Sequence, residues 1–295
     1  MAEPGLTAAS VPIREKLLSH RVRGFGHPEN SAGGLRAACA AGIPYLEIDV
    51  RASADGALFV RHDPWLDARH SAKYAQIPAA RLDDVASAAG AEMFSLTEAL
   101  RIFAEHASPH QRLCIDIKDY DYEATYLEQV RTASLESRVV FVSWIPQTLL
   151  RLNALGTTAP LILSYLDLRR LGLFGTAIEC LTRKAVLRFG WYVMLGCDTY
   201  DRPLGSLSHG YQHALLCKRL PAPLARILAA SSGGVCVPLS QVGSSLMAHC
   251  QQAGLRLWTF SVDSVDDFRE YAERAAIDVV FCNAAGTVKR ALEMP

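Results

Sequence analysis

Tyr45-Leu46-Glu47-Ile48-Asp49-Val50 decides the reading of this chain, because it is an apolar strand that carries two carboxylates. Side chains two apart on a strand share a face, so Glu47 and Asp49 stand together. Carboxylates side by side against an interior raise each other's pKa, and burial raises both, unless a cation neutralises them. A hard, oxygen-preferring ion such as Mg2+ or Ca2+ meets that need, whereas a solvent-facing pair on an edge strand needs none. Leu113-Cys114-Ile115-Asp116-Ile117-Lys118 repeats the design, with Asp116 and Lys118 on one face. Asp116 can complete a three-carboxylate ligand set and Lys118 can meet a phosphate oxygen as a point charge. The plainer alternative is an ion pair at a strand end. After an Asp55-Gly56 turn, a hairpin signal, a short return strand brings His62 back beside the carboxylates.

Working outward, apolar and partly β-branched runs recur at 17–22, 45–50, 113–117, 139–143, 161–165, 235–237, 255–260 and 277–282. Helical patterns lie between most of them, such as 32–41, 96–105, 123–132, 146–155, 244–253 and 265–275. Eight strands alternating with helices predict a TIM (β/α)8 barrel, in which functional groups gather at the strand ends of one rim. His20, Asp49, Lys118 and Ser143 all fall at such ends. With 295 residues, half of them hydrophobic, the chain can form one barrel domain over 1–295. Thirty basic and thirty acidic residues cancel, and no basic stripe points to nucleic acid. Eight cysteines are scattered without Cys-x-x-Cys spacing, as expected of reduced core residues rather than disulfides or a zinc site. Residues 1–12 lack a basic start followed by an apolar run, so a cytoplasmic location is expected.

The block from about 166 to 232 breaks the alternation and reads as a helical or loop insertion after the fifth strand. Arg169, Arg170, Arg183, Lys184 and Arg188 are interleaved there with Leu171, Leu173, Phe174, Leu187, Trp191 and other apolar residues. Such a segment can make weak contact with a membrane surface or form a lid, or pack on the barrel with a solvated basic face. It contains no run near the ~20 apolar residues of a membrane span. His209 and His213 sit four apart, a metal-binding spacing on a helix, but Pro203, Gly205 and Gly210 favour a loop with ordinary polar histidines.

Taken together, His20-Arg21, Pro28-Glu29-Asn30, Glu47-Ile48-Asp49, Asp55-Gly56, His62-Asp63-Pro64, Asp116-Ile117-Lys118 and Trp258-Thr259 resemble the motifs of the glycerophosphodiester phosphodiesterases, which share the barrel of the phosphatidylinositol-phospholipase C type. The resemblance runs from residue 17 to about 120 and resumes near 235. Three departures stand out. The family's His-Arg-Gly is His20-Arg21-Val22 here, with Val22-Arg23-Gly24 as a competing register and His27 as a further candidate. The usual Glu of the acid-x-Lys strand is Asp116, as in sphingomyelinase D-like lyases, and the closing Thr-Asp-x-Pro is replaced by Phe281-Cys282-Asn283-Ala284.

The resemblance implies a metal-dependent phosphodiesterase that cleaves a small glycerophosphodiester to an alcohol and a glycerol phosphate. Glu47, Asp49 and Asp116 would hold one divalent cation, Mg2+ or Ca2+. His20 and His62 would act as the catalytic acid and base, for which imidazole is suited near neutral pH. Arg21 and Lys118 would bind the phosphate, with Glu29 and Trp258 in the substrate pocket; Glu29 can also help hold the metal or orient Arg21, and Trp258 can equally pack in the core. A neighbouring substrate hydroxyl can serve as nucleophile. Two other outcomes stay open: lysis or sugar-phosphodiester synthesis on the same site, as in agrocinopine synthases, and a barrel that only binds a phosphodiester.

Overall fold

A computed structural model describes residues 11–66, 73–88, 93–180, 186–188, 191–195 and 209–294. In chain order the strands are β1 (Leu17–Ser19), β2 (Tyr45–Ala52), β3 (Leu58–Val60), β4 (Arg112–Ile117), β5 (Val139–Ser143), β6 (Leu161–Ser164), β7 (Leu166–Asp167), β8 (Val186–Arg188), β9 (Trp191–Leu195), β10 (Gln212–Cys217), β11 (Gly234–Pro238), β12 (Arg256–Val262) and β13 (Val279–Cys282). The helices are α1 (Ala32–Ala40), α2 (Ala79–Ala88), α3 (Leu96–His106), α4 (Glu123–Thr132), α5 (Pro146–Ala154), α6 (Gly172–Cys180), α7 (Ala222–Ala230), α8 (Ser244–Ala253), α9 (Val265–Ala272) and α10 (Ala285–Glu293).

Each of the eight apolar runs forms one strand of a closed parallel sheet in the order β1-β2-β4-β5-β6-β11-β12-β13, with β13 pairing back to β1. The chain is therefore the expected TIM barrel. Parallel barrel strands are buried on both faces, and the alternation of side chains divides the core in two. Inside the barrel lie Leu18, Cys114, Val140, Val142, Ile162, Cys236, Trp258, Val279 and Phe281. Between sheet and helices lie Leu46, Ile48, Leu113, Ile115, Phe141, Leu163 and Val280, among others. Local signals set the helix ends: Ser31, Ser95 and Ser264 cap α1, α3 and α9 by accepting a backbone N–H, as small polar N-caps do. β3 returns antiparallel along β2, pairing Val60 with Val50, after a turn in which Gly56 takes φ +84.

The middle block differs from the helical or loop insertion expected there. Its described residues build a second sheet, ordered β7-β10-β9-β8, together with α6. These strands are short and alternate poorly, so their pattern mimics a basic, apolar helix. Residues 222–230 form α7, which packs on β6, β11, α5 and α8 and so belongs to the barrel's helical ring. The expectations attached to Arg183 and Lys184 lie outside the described residues. His209 sits in a turn and His213 in β10, so their spacing does not make a helical metal pair.

Candidate active site

Continuing the inward alternation of the strands to their C-terminal ends brings one set of polar side chains to a single rim. β2 and β4 pair in register with Asp49 opposite Asp116 and Glu47 opposite Cys114, so the three acids face inward side by side. Carboxylate oxygens of Glu47, Asp49 and Asp116 all lie within 4.8 Å of one another, and all three residues are buried.

Two cations answer three acids. Lys118 Nζ lies 2.8 Å from Asp49 Oδ1 and 2.5 Å from Asp116 Oδ2, and Arg21 Nε is 3.3 Å from Asp49 Oδ2. With all three acids ionised, one negative charge is in excess. Burial works against the charge on Asp49, but Lys118, His62 and Arg21 hold its carboxyl well below the usual range. Burial pushes Glu47 well above its ordinary value, and the neighbouring Asp49 and Asp116 push it further. Burial likewise raises Asp116, against the pull of Lys118. Lys118 would be lowered by burial alone, yet Asp116 and Asp49 keep it above its normal value. Asp116 Oδ1 is buried with no hydrogen-bond partner. An all-oxygen donor set, an unpartnered buried carboxylate oxygen and surplus negative charge together fit a hard divalent cation.

Asn30, from the Pro28-Glu29-Asn30 motif, fixes Asp49 twice. Its Nδ2 donates to Asp49 Oδ2 at 2.9 Å and its Oδ1 accepts the Asp49 backbone N–H at 3.1 Å. It does so at φ +53, a left-handed conformation that asparagine tolerates better than most residues.

His20 follows β1 directly, which supports its register over the alternatives. Arg21 and Val22 both adopt positive φ, +55 and +50, and Val22 thus takes a backbone conformation natural to the glycine the motif would place there. That turn aims the Arg21 backbone N–H at Glu47 Oε2, 2.7 Å away. Arg23 instead pairs with Glu29, and Gly24 packs on the start of α10. His27 is exposed, with its ring beside Gly33. The His20 ring is half-buried, edge-on to Phe281, with Nδ1 2.7 Å from Asn283 Oδ1. Burial first, then the positive charge of Arg21, lowers its pKa to about 3.

His62 is held from the other side. Its Nδ1 is 2.7 Å from Asp63 Oδ1; its backbone carbonyl accepts from Arg51 Nε at 2.6 Å and from Gln212 Nε2 at 3.2 Å. Burial lowers the His62 pKa, while Asp63 and Asp49 oppose that shift. Arg51 in turn pairs with Asp119 at 3.3 Å, both fully buried. Asp119 also accepts the backbone N–H groups of Ala52 and Gly210. The second sheet therefore reaches the His62 loop through residues 209–212, a connection invisible in the sequence because its partners are about 150 positions apart.

One expectation is corrected and one alternative is narrowed. Trp258 lies in the barrel interior, 1% exposed and edge-on to Tyr45, because it sits one inward position too deep on β12. The next inward residue, Phe260, is half-buried and stacks edge-on with Trp144 at 5.7 Å. These are the aromatics of the rim. Glu29 stands outside the three-acid cluster and pairs with Arg21 at 3.3 Å and with Arg23. It thus orients Arg21.

A closed parallel barrel with a buried three-carboxylate cluster at one rim is a scaffold on which a metal ion can assist hydrolysis. The model of the glycerophosphoryl diester phosphodiesterase family matches residues 20–187, more than half of the chain, and the chain belongs to this family of phosphoric diester hydrolases. No curated protein matches it. Among solved structures it is similar to a protein from Silicibacter pomeroyi named as a glycerophosphoryl diester phosphodiesterase, at 20% identity and TM-score 0.65, covering 97% of this chain and 94% of the other. It is also similar to a glycerophosphodiester phosphodiesterase from Parabacteroides distasonis, at 16% identity and TM-score 0.61, covering 94% and 96%. A phosphodiesterase from Oleispira antarctica, solved with the product sn-glycerol-3-phosphate, matches at 17% identity and TM-score 0.59, covering 95% and 97%. At these identities the likeness establishes the fold.

Proposed function

We propose that the chain hydrolyses a small glycerophosphodiester to an alcohol and a glycerol phosphate at this rim. The observation that carries the proposal is the convergence of Glu47, Asp49 and Asp116 within 4.8 Å, between histidines held by Asn283 and Asp63. The product bound to the Oleispira antarctica protein supports the same chemistry.

In this reading Glu47, Asp49 and Asp116 would hold one Mg2+ or Ca2+, which when bound would offset the negative charge that develops on the phosphate. Arg21 and Lys118 grip phosphate oxygens through charge-assisted hydrogen bonds. His20 is neutral at pH 7, since its pKa is about 3, and accepts the proton of the attacking hydroxyl. His62, whose pKa burial lowers against the pull of Asp63 and Asp49, donates a proton to the departing alcohol oxygen as the old P–O bond breaks and the new one forms. The attacking oxygen belongs to water or to a neighbouring glycerol hydroxyl; the second route gives a cyclic phosphate that water then opens. Trp144 and Phe260 border the alcohol side.

We place the protein in the cytoplasm, where the buried Cys39, Cys114, Cys236, Cys250 and Cys282, none in a disulfide, stay reduced. Among the described residues no helix is long and apolar enough to cross a membrane. The exposed Leu171, Leu173 and Phe174 suit a weak surface contact.

The test is glycerophosphocholine hydrolysis followed by phosphorus NMR, with and without a chelator. Wild type should release glycerol phosphate, and chelation should abolish the release. His20→Ala and His62→Ala should each lose about a hundred- to ten-thousand-fold in rate. A persistent cyclic phosphate or a new diester would replace hydrolysis by lysis or synthesis. Equal turnover in all four samples would remove the assignment.

A further inference from the structure

A second charged site lies outside the rim. A cavity of about 620 Å³ opens between α8 and the segments that follow β7 and β10, lined by Arg169, Lys218, Arg219, Ser245, His249 and Gln252. None of its described lining residues is acidic. On α8 the residues Ser245, Ala248, His249 and Gln252 recur at the spacing of one helix face, away from the buried Leu246 and Cys250. That stripe is small and polar where a packing face would be apolar.

Two of the basic side chains are fixed in place. Arg169 Nε donates to the Lys218 carbonyl at 2.9 Å, and the guanidinium is 3.6 Å from Asp167. Lys218 Nζ donates to Thr176 Oγ1 at 2.9 Å and to the Gly172 carbonyl at 3.2 Å. Two nitrogens in this lining, Arg169 Nη2 and His249 Nε2, are buried with no hydrogen-bond partner. Basic side chains around a cavity of ligand size, with no acid among its described lining residues, ask for an anion. The positive charges also act on the histidine, whose pKa burial lowers first and Arg169 and Arg219 lower further.

We propose that this cavity binds a phosphate group, with Arg169, Arg219 and His249 as its donors, at a site separate from the catalytic rim. The shared chemistry is a phosphate oxyanion, carried by a soluble phosphate ester or by a lipid headgroup.

The test titrates inorganic phosphate into the full chain by calorimetry, at ionic strength matched with chloride. Ala248→Glu places a carboxylate in the cavity from an exposed helix position without removing a fold contact, and His249→Gln removes one donor. Ala248→Glu should weaken the phosphate site at least tenfold and leave hydrolysis and thermal stability unchanged; His249→Gln should weaken it less. A parallel arm sediments the protein with phosphatidylglycerol or phosphatidylcholine vesicles. Pelleting with phosphatidylglycerol that Ala248→Glu abolishes assigns the headgroup, and soluble binding without pelleting assigns a phosphate ester. Phosphate and vesicle binding that Ala248→Glu leaves intact would overturn the proposal. Because hydrolysis is measured on the same samples, that result leaves the catalytic reading standing.

Discussion

Asn283 shows how a single side chain outside any motif can govern a histidine. Its Oδ1 meets His20 Nδ1, and its Nδ2 donates to Asp263 Oδ1 at 2.7 Å, so the amide is oriented from one side and orients the ring on the other. With Oδ1 as acceptor, Nδ1 carries the hydrogen and Nε2 is left to accept a proton. Asn283→Ala should therefore lower kcat about 10- to 100-fold through loss of ring position, with KM nearly unchanged, and Asn283→Asp should recover part of the rate. Unchanged kcat in Asn283→Ala would show that the ring is held by Phe281 alone. The acids were legible in the sequence because the period of two and two neighbouring strands suffice to gather them. Asn283 was not, since it stands 263 residues from His20 in a segment that departs from the closing motif of the resemblance. Trp258 was misplaced for a related reason: alternation gives the face of a residue, but its depth depends on where the barrel mouth lies.

Close approach of β1's loop to α10 sets the position of the His20-Arg21 turn. A Cβ on Gly24, which has φ +95, would stand 2.7 Å from the Ala285 backbone nitrogen, and one on Gly286 would stand 2.4 Å from the Gly24 carbonyl oxygen. Neither backbone can yield as a flexible side chain would. Gly24→Ala should cost about 1–3 kcal/mol from backbone conformation and overpacking, read as a lower denaturation midpoint. It should also lower activity, because the shift passes to residues 20–23. Full stability together with full activity would mean that the loop adapts freely. All eight barrel strands were legible as apolar runs, since buried parallel strands need little else. The sheet β7-β10-β9-β8 was not, because β7 has two residues and β8 three, too few for a period to declare itself.

Stability of the whole molecule should depend on pH through the buried rim. His20 has a folded pKa of about 3, below the ~6.5 of an unfolded chain. Between those values the unfolded state binds one more proton than the folded state. Stability therefore rises with pH across that window and is lost as pH falls below about 6.5, by at most about 1.4 kcal/mol per unit. His62, lowered as well, adds in the same direction. Glu47 and Asp116, raised by burial, act in the opposite sense, so the total curve mixes both signs. Comparing wild type with His20→Gln separates them, because the carboxylates are common to both. Chemical denaturation at intervals from pH 7 to pH 4 should show wild type losing stability faster than His20→Gln, the gap widening by about 1 kcal/mol per unit below pH 6. Parallel curves would mean that His20 takes up its proton in the folded protein almost as readily as in the unfolded one. The neutral imidazole, and with it the assignment of His20 as the base, would then fail.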